Sequence, residues 1–327
     1  MFDSHFAFTP IPGRPTCHCA ALCQLADDDL LAVWYAGQRE GLPDSALLTA
    51  RFSQKDVQWT AAEVLLDTPG LSDGNAIVFA LPDGRVWLFH TVIHGKGWSS
   101  TLSYWRESDN GGLTWSASRL FDPEEGIVFR CRPLQLPSGR ILVPAYDDKD
   151  GTSVFFLTDD QGLTWRRSTR LRVAGDQCIQ PAPVQRADGS LLAYMRCGDR
   201  GHLWQSVSTD EGATWTPPEP VDLPNPNAGV DMQKLQTGEL LLAANLTTHS
   251  RSPLCLLLSE DEGQTWATRA IVAHDPGQEF SYPQLLQARD GACHLLYTWR
   301  RERIRHLIFD TEWLRKEAAK QMEYVRG

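Results

Sequence analysis

The sequence predicts an all-β fold: a six-bladed β-propeller of four-stranded antiparallel blades. Three observations carry that prediction. An eight-residue phrase recurs four times, a hairpin signal recurs six times, and the two interleave at a period of about fifty residues. Repetition at that period means an array of similar supersecondary units.

The phrase reads Ser108-Asp-Asn-Gly-Gly-Leu-Thr-Trp115 and returns at Thr158 to Trp165, Ser208 to Trp215 and Ser259 to Trp266. Its starts lie 50, 50 and 51 residues apart. The shared pattern is Ser/Thr-x-Asp/Asn-x-Gly-x-Thr-Trp. An Asp or Asn can bond local backbone N–H groups, and the Gly two residues on accepts φ > 0. The hydroxyls add local acceptors. The Trp is expected to start the next strand and bury its ring between units. A degenerate fifth copy runs from Ser53 to Trp59, without the Gly.

The second signal is an apolar stretch, a short turn, and a strongly apolar run. Its turns centre on Asp28, Asp83-Gly84, Ser138-Gly139, Asp188-Gly189, Thr237-Gly238 and Asp290-Gly291. Asp-Gly between apolar stretches is a strong hairpin signal. Each hairpin, a third strand, the eight-residue turn and a fourth strand make one blade. The last unit lacks its fourth strand. After Ile304 to Phe309 comes a charged segment of helix formers, Glu312 to Arg326, which predicts a short C-terminal helix. Ser4 to Thr9 is therefore expected to supply the missing outer strand and close the ring, protecting the sheet edges. The alternative is a five-bladed ring with an irregular hairpin.

Six blades use nearly all of the 327 residues, which predicts a single domain over 1–327. Met1-Phe-Asp-Ser-His-Phe carries no basic region or apolar stretch of signal-peptide length, and no run approaches a membrane span. A cytoplasmic protein is expected. Eight cysteines are then expected as reduced thiols. Cys17-His18-Cys19 with Cys23 suggests a metal site, but adjacent strand residues face opposite ways, so buried thiols are the reading adopted. No metal or other cofactor is predicted. A net charge of −10 argues against nucleic acid and membrane as partners.

Both turn families fall on one face of the ring. The opposite face holds the starts of first strands, the ends of second strands and the loops between second and third strands, where function concentrates. First-strand starts there offer His18, Asn75, Arg130, Arg132, Gln180 and Tyr282. Second-strand ends offer Arg39, Glu40, Arg196, Arg300 and Arg301, and the loops offer Asp44 and Arg251. Arginine recurs in five of six blades on this face of an acidic chain. Converging guanidinium groups bind carboxylate, phosphate or sulfate bidentately. The substrate-binding candidates are Arg196, Arg251, Arg132, Arg300, Asn75 and Gln180.

The eight-residue phrases resemble the Asp-boxes, or BNR repeats, of the sialidase superfamily. The segments Phe280-Ser-Tyr-Pro-Gln, Tyr297-Thr-Trp-Arg-Arg, Leu223-Pro-Asn-Pro-Asn-Ala-Gly and Ala36-Gly-Gln-Arg-Glu-Gly-Leu-Pro-Asp44 extend the likeness from about residue 10 to 315. The chain resembles the bacterial sialidase-like branch. That resemblance implies a Tyr nucleophile with a Glu partner, an Asp acid/base and three arginines on the substrate carboxylate. Tyr282 matches the nucleophile, Asp44 the acid/base, and Arg196 and Arg251 the second and third arginines. His18 stands where the first arginine is expected, and Gln180 where the Glu is expected. Glu279 is the nearest substitute for that base. The implied activity is a retaining exo-glycosidase acting on a small anionic sugar. Two other readings stay open: a uronate lyase using His18 and Tyr282, and a non-catalytic glycan- or protein-binding propeller.

Overall fold

The computed structural model describes residues 1–326. They form six antiparallel sheets, a short 3-10 turn at Trp98–Ser100 and one α-helix, Thr311–Arg326. First strands run Thr16–Gln24, Ser72–Ala80, Ile127–Phe129 continued by Leu134–Gln135, Cys178–Gln185, Asp231–Lys234 and Phe280–Gln287. Blades pack on their neighbours, and the sixth packs back on the first. The outer strand of the sixth blade is Phe2–Phe8, paired antiparallel with Arg303–Phe309, so the chain closes its ring as expected. Thr9 falls outside that strand because Pro10 follows it and cannot donate to a ladder.

Local chemistry builds the repeated turns. In each phrase the first hydroxyl accepts the Gly N–H four residues on, at 2.8–2.9 Å in Gly112, Gly162, Gly212 and Gly263. The Asn or Asp accepts the following Thr N–H at 2.8–2.9 Å. Each such bond contributes about 1 kcal/mol. The degenerate copy keeps part of this, with Ser53 Oγ donating to Asp56 at 2.9 Å. The fourth strands begin after the Trp in the four full copies, as at Arg119–Asp122 and Glu219–Pro224. The Trp rings are half-buried. The tight contact with the preceding blade is made by the Gly: a Cβ at Gly162 would lie 2.9 Å from Trp87, and one at Gly263 2.9 Å from Leu192.

Arginines staple neighbouring blades on the same face. Arg85 reaches Gln161 at 2.9 Å, Arg140 the Glu211 carbonyl at 3.3 Å, and Arg186 the Glu262 carbonyl at 3.2 Å. Hairpin turns and eight-residue turns thus share one end of the ring. The C-terminal helix starts on Asp310, which accepts the Trp313 N–H at 2.7 Å as an N-cap, and it buries Leu314 and Ala318. No helix among the described residues is long and apolar enough to cross a membrane. All eight cysteines are free and buried.

Four first strands share an irregularity that shapes the other end. Their registers slip between His18 and Ala21, Gly74 and Ile77, Ile179 and Ala182, and Ser281 and Gln284. Each slip is a bulge, two residues facing one. The leading residues, Cys19, Asn75, Gln180 and Tyr282, have φ of 56, 29, 58 and 52°. Pro181 and Pro283 follow two of them, where no ladder N–H is needed.

Candidate active site

Tyr282 occupies the sixth-blade bulge. Its left-handed backbone costs a side-chain-bearing residue roughly 1–3 kcal/mol, and such strain gathers at functional sites. The ring is buried, and Arg196 Nη1 donates to the phenolic oxygen at 2.8 Å. Arg196 ends the second strand of blade four, Leu191–Cys197. Its Nη1 also donates to Gln180 Oε1 at 3.3 Å, and its Nε to the Asn227 side chain. Arg251 reaches the same residue from blade five, donating to the Asn227 carbonyl at 2.9 Å. Asn227 therefore ties together both arginines read from the sequence.

Arg251 Nη1 donates to Glu279 Oε1 at 2.9 Å, and Arg301 Nε donates to Glu279 Oε2 at 2.7 Å. Arg301 Nη1 then reaches Glu40 at 2.6 Å, whose other oxygen accepts the Trp98 indole N–H at 2.9 Å. A belt of polar contacts thus runs through blades two, one, six, five and four. Burial pushes the Glu279 carboxyl up, but Arg251, Arg301 and Ser281 outweigh it and hold the group below its usual range. It is an anion, held by cations.

His18 lies edge-on to Tyr282 with ring centroids 4.3 Å apart, and its Nε2 stands 4.0 Å from Glu279. Neither imidazole nitrogen has a hydrogen-bond partner among the described residues. Burial first, then Arg301, Arg251, Arg130 and Arg196, push His18 well below its ordinary value, so it is neutral. Arg130 and Arg251 each lie over the Tyr282 ring, 5.2 Å from its centroid. Burial opposes ionisation of that phenol, yet Arg196 and Arg251 together bring it below its ordinary range. Gly229 fits closely here: a Cβ would stand 2.8 Å from Gln180 Oε1 and 3.4 Å from Tyr282.

Of the residues read from the sequence, Tyr282, Arg196, Arg251, Glu279, His18 and Gln180 come together. Asn75 is buried beside them, its amide 3.5 Å from the Tyr146 hydroxyl. Asp44 is tied into its own loop, its carboxylate accepting the Gln38 N–H at 2.7 Å. Arg132 lies farther along the channel and donates to Gln233. Arg300 stands apart, paired with Asp275 at 2.5 Å and stacked over Trp299 at 4.2 Å. Arg130, Arg301, Glu40, Trp98 and Asn227 belong to the cluster although no role was read for them. The first three were visible as polar residues of the correct face, and Asn227 sat in the Pro-Asn-Pro-Asn-Ala-Gly segment. Trp98 had no signal beyond a long loop.

The pattern that defines the BNR repeat-like domain family matches residues 28–295. This chain belongs to that family. Among curated relatives, the BNR repeat-like chain is similar to anhydrosialidase of Macrobdella decora, 25% identical over 242 residues, covering 66% of this chain and 32% of that protein. It is also similar to sialidase-4 of Homo sapiens, 30% identical over 249 residues, covering 65% of this chain and 49% of that protein. It thus spans less than half the length of either. In fold it resembles the NanB sialidase of Streptococcus pneumoniae, with TM-score 0.79, 12% identity, and coverage of 94% of this chain and 70% of that one. The BNR repeat-like propeller is sialidase-like in sequence and in fold.

Proposed function

We propose that this chain is a sialidase-like exo-glycosidase that takes a terminal sugar bearing a carboxylate, with Tyr282 as nucleophile. The observation that carries the reading is the meeting of the Tyr282 hydroxyl with Arg196 at 2.8 Å, in a strained bulge beside Arg251. Sialidases use Tyr where most glycosidases use a second carboxylate. The arginines around Tyr282 offset the repulsion that an oxygen nucleophile would meet from an anionic substrate.

In this reading the Tyr282 oxygen, its proton given up to solvent, bonds to the anomeric carbon as the bond to the leaving oxygen breaks. Asp44, on the loop after the second strand of blade one, gives that oxygen a proton. Water then attacks the anomeric carbon, Asp44 takes its proton, and the bond to Tyr282 breaks. Arg196 and Arg251 orient the sugar acid with the N–H groups not spent on Asn227, Gln180 and Glu279. Neutral His18 supplies a donor and an acceptor for an uncharged group of the sugar.

The test is a panel of fluorogenic glycosides of sialic acid and glucuronic acid. Tyr282→Phe is expected to remove turnover of the best substrate, and Asp44→Asn to lower kcat by roughly 10²–10⁴. Undiminished turnover by Tyr282→Phe, or an unsaturated ultraviolet-absorbing product, rejects the reading.

A further inference from the structure

The phenol of Tyr282 is surrounded by cations and has no acceptor for its proton. Arg196 donates to its oxygen at 2.8 Å, and a guanidinium can only donate, so that oxygen is the acceptor. Gln180 holds the place from which a base would act. Its Oε1 already accepts from Arg196, at 3.3 Å, and an amide oxygen does not take a proton near neutral pH. Glu279 is engaged by Arg251, Arg301 and Ser281 rather than by Tyr282. Among the described residues no carboxylate or imidazole nitrogen bonds the phenol.

The charges around it do not balance. Four guanidiniums, from Arg130, Arg196, Arg251 and Arg301, face two carboxylates, from Glu40 and Glu279, while farther along the channel Arg132 is answered by Asp231. Arg130 is fully buried and sits 5.2 Å from the Tyr282 ring centroid. It spends Nη2 on the Pro283 carbonyl, while Nε and Nη1 have no partner among the described residues. A buried cation in that state is costly without a nearby anion. The other groups that face Tyr282 are neutral or deactivated: His18, Tyr35, Tyr146, and the thiol of Cys19, pushed up to about 11 by burial.

We propose that Tyr282 rests as a phenolate, its oxygen held by Arg196 and its charge answered by Arg130 and Arg251, so that this chain needs no carboxylate base beside its nucleophile. The proton leaves to solvent before any sugar arrives, and Arg130 and Arg196 act as positioning and charge-stabilising residues. One unmatched cation meets the phenolate, and the other is left for the carboxylate of the ligand. This deepens the proposed function and rests on it for the word nucleophile, but the ionisation itself is a property of the free protein.

The test is an ultraviolet difference titration of the free chain against Tyr282→Phe. The difference is expected to show one phenolate already formed at about pH 7, with its midpoint below that and far below the ordinary tyrosine value of about 10. Arg196→Gln, on the rim, is expected to move that midpoint up by one pH unit or more. Arg130→Met should do the same where it folds, and Arg196→Gln suffices where it does not. A difference spectrum that shows Tyr282 still protonated at about pH 7 overturns the proposal. So does a midpoint that Arg196→Gln leaves in place. A low-titrating phenolate in a protein that hydrolyses no sugar acid defeats the glycosidase reading alone. Turnover that requires Tyr282 without such a phenolate defeats this inference alone.

Discussion

Arg251 grips the carboxylate of Glu279 at 2.9 Å, so an arginine suited to a sugar acid already holds an acid of the protein's own. Arg301 completes the grip from the far side at 2.7 Å. The internal carboxylate orders both guanidiniums and tempers their charge.

Glu279→Gln keeps the shape and removes that charge. A sugar acid such as glucuronate is expected to bind several-fold more tightly by calorimetry, because less compensated arginines attract an anion more strongly. The folded state is expected to lose about 1–3 kcal/mol in urea unfolding, since a partly buried, charge-assisted pair is broken. Weaker binding with unchanged stability would mean that Glu279 does not govern the arginines.

A second prediction concerns histidines away from the site. Trp59 donates to His306 Nδ1 at 3.2 Å, which leaves His306 Nε2 to donate to His294 Nδ1 at 2.9 Å. Burial keeps both rings neutral, pushing His294 down to about 4 and His306 well below its ordinary value, with His294 adding to the latter. Below about pH 6.5 the unfolded chain takes up protons that the folded chain refuses, so stability falls as pH falls. The loss is up to about 1.4 kcal/mol per pH unit for each histidine and, for His294, levels off below its folded value. Urea midpoints between pH 7 and about 4 should therefore slope downward on the acid side. The double variant His294→Leu, His306→Phe should show a shallower slope, and superimposable slopes would acquit this pair.

The third prediction separates the two ends of the ring. Gly162 has φ of +89°, and a Cβ there would press on the buried Trp87 at 2.9 Å. Gly162→Ala is expected to cost about 1–3 kcal/mol in urea unfolding through backbone strain and crowding. Its KM and kcat should match those of the unchanged chain, because the turn lies at the opposite end from Tyr282. Altered kinetics at full folding would reveal coupling between the ends.

The propeller was legible because its signals are local. A hydroxyl, an Asp and a Gly in fixed order make the same turn wherever they occur, and the six hairpin turns that alternate with them count the blades. Tyr282, Arg196 and Arg251 could be placed on one face by the same count. Arg301 could not be told from Arg300. Both have positive φ, 57 and 56°, in a tight turn after Trp299, where strand alternation no longer says which way a side chain faces. A bulge hid the aim of Tyr282 for a related reason: an extra residue in a strand re-directs its neighbours, and composition does not announce it. Asp44 depends on how its loop folds over, with Gln38 capturing its carboxylate.

Phe2 pairs with Phe309, which joins the earliest described strand of the chain to one of the latest. During synthesis that strand has no partner until three hundred further residues have followed it. The nascent chain can build five blades in sequence, but the circle stays ajar until the sixth has left the ribosome. A cluster drawn from all six blades is therefore assembled only at that final latch, and the fold withholds its chemistry until the circle shuts.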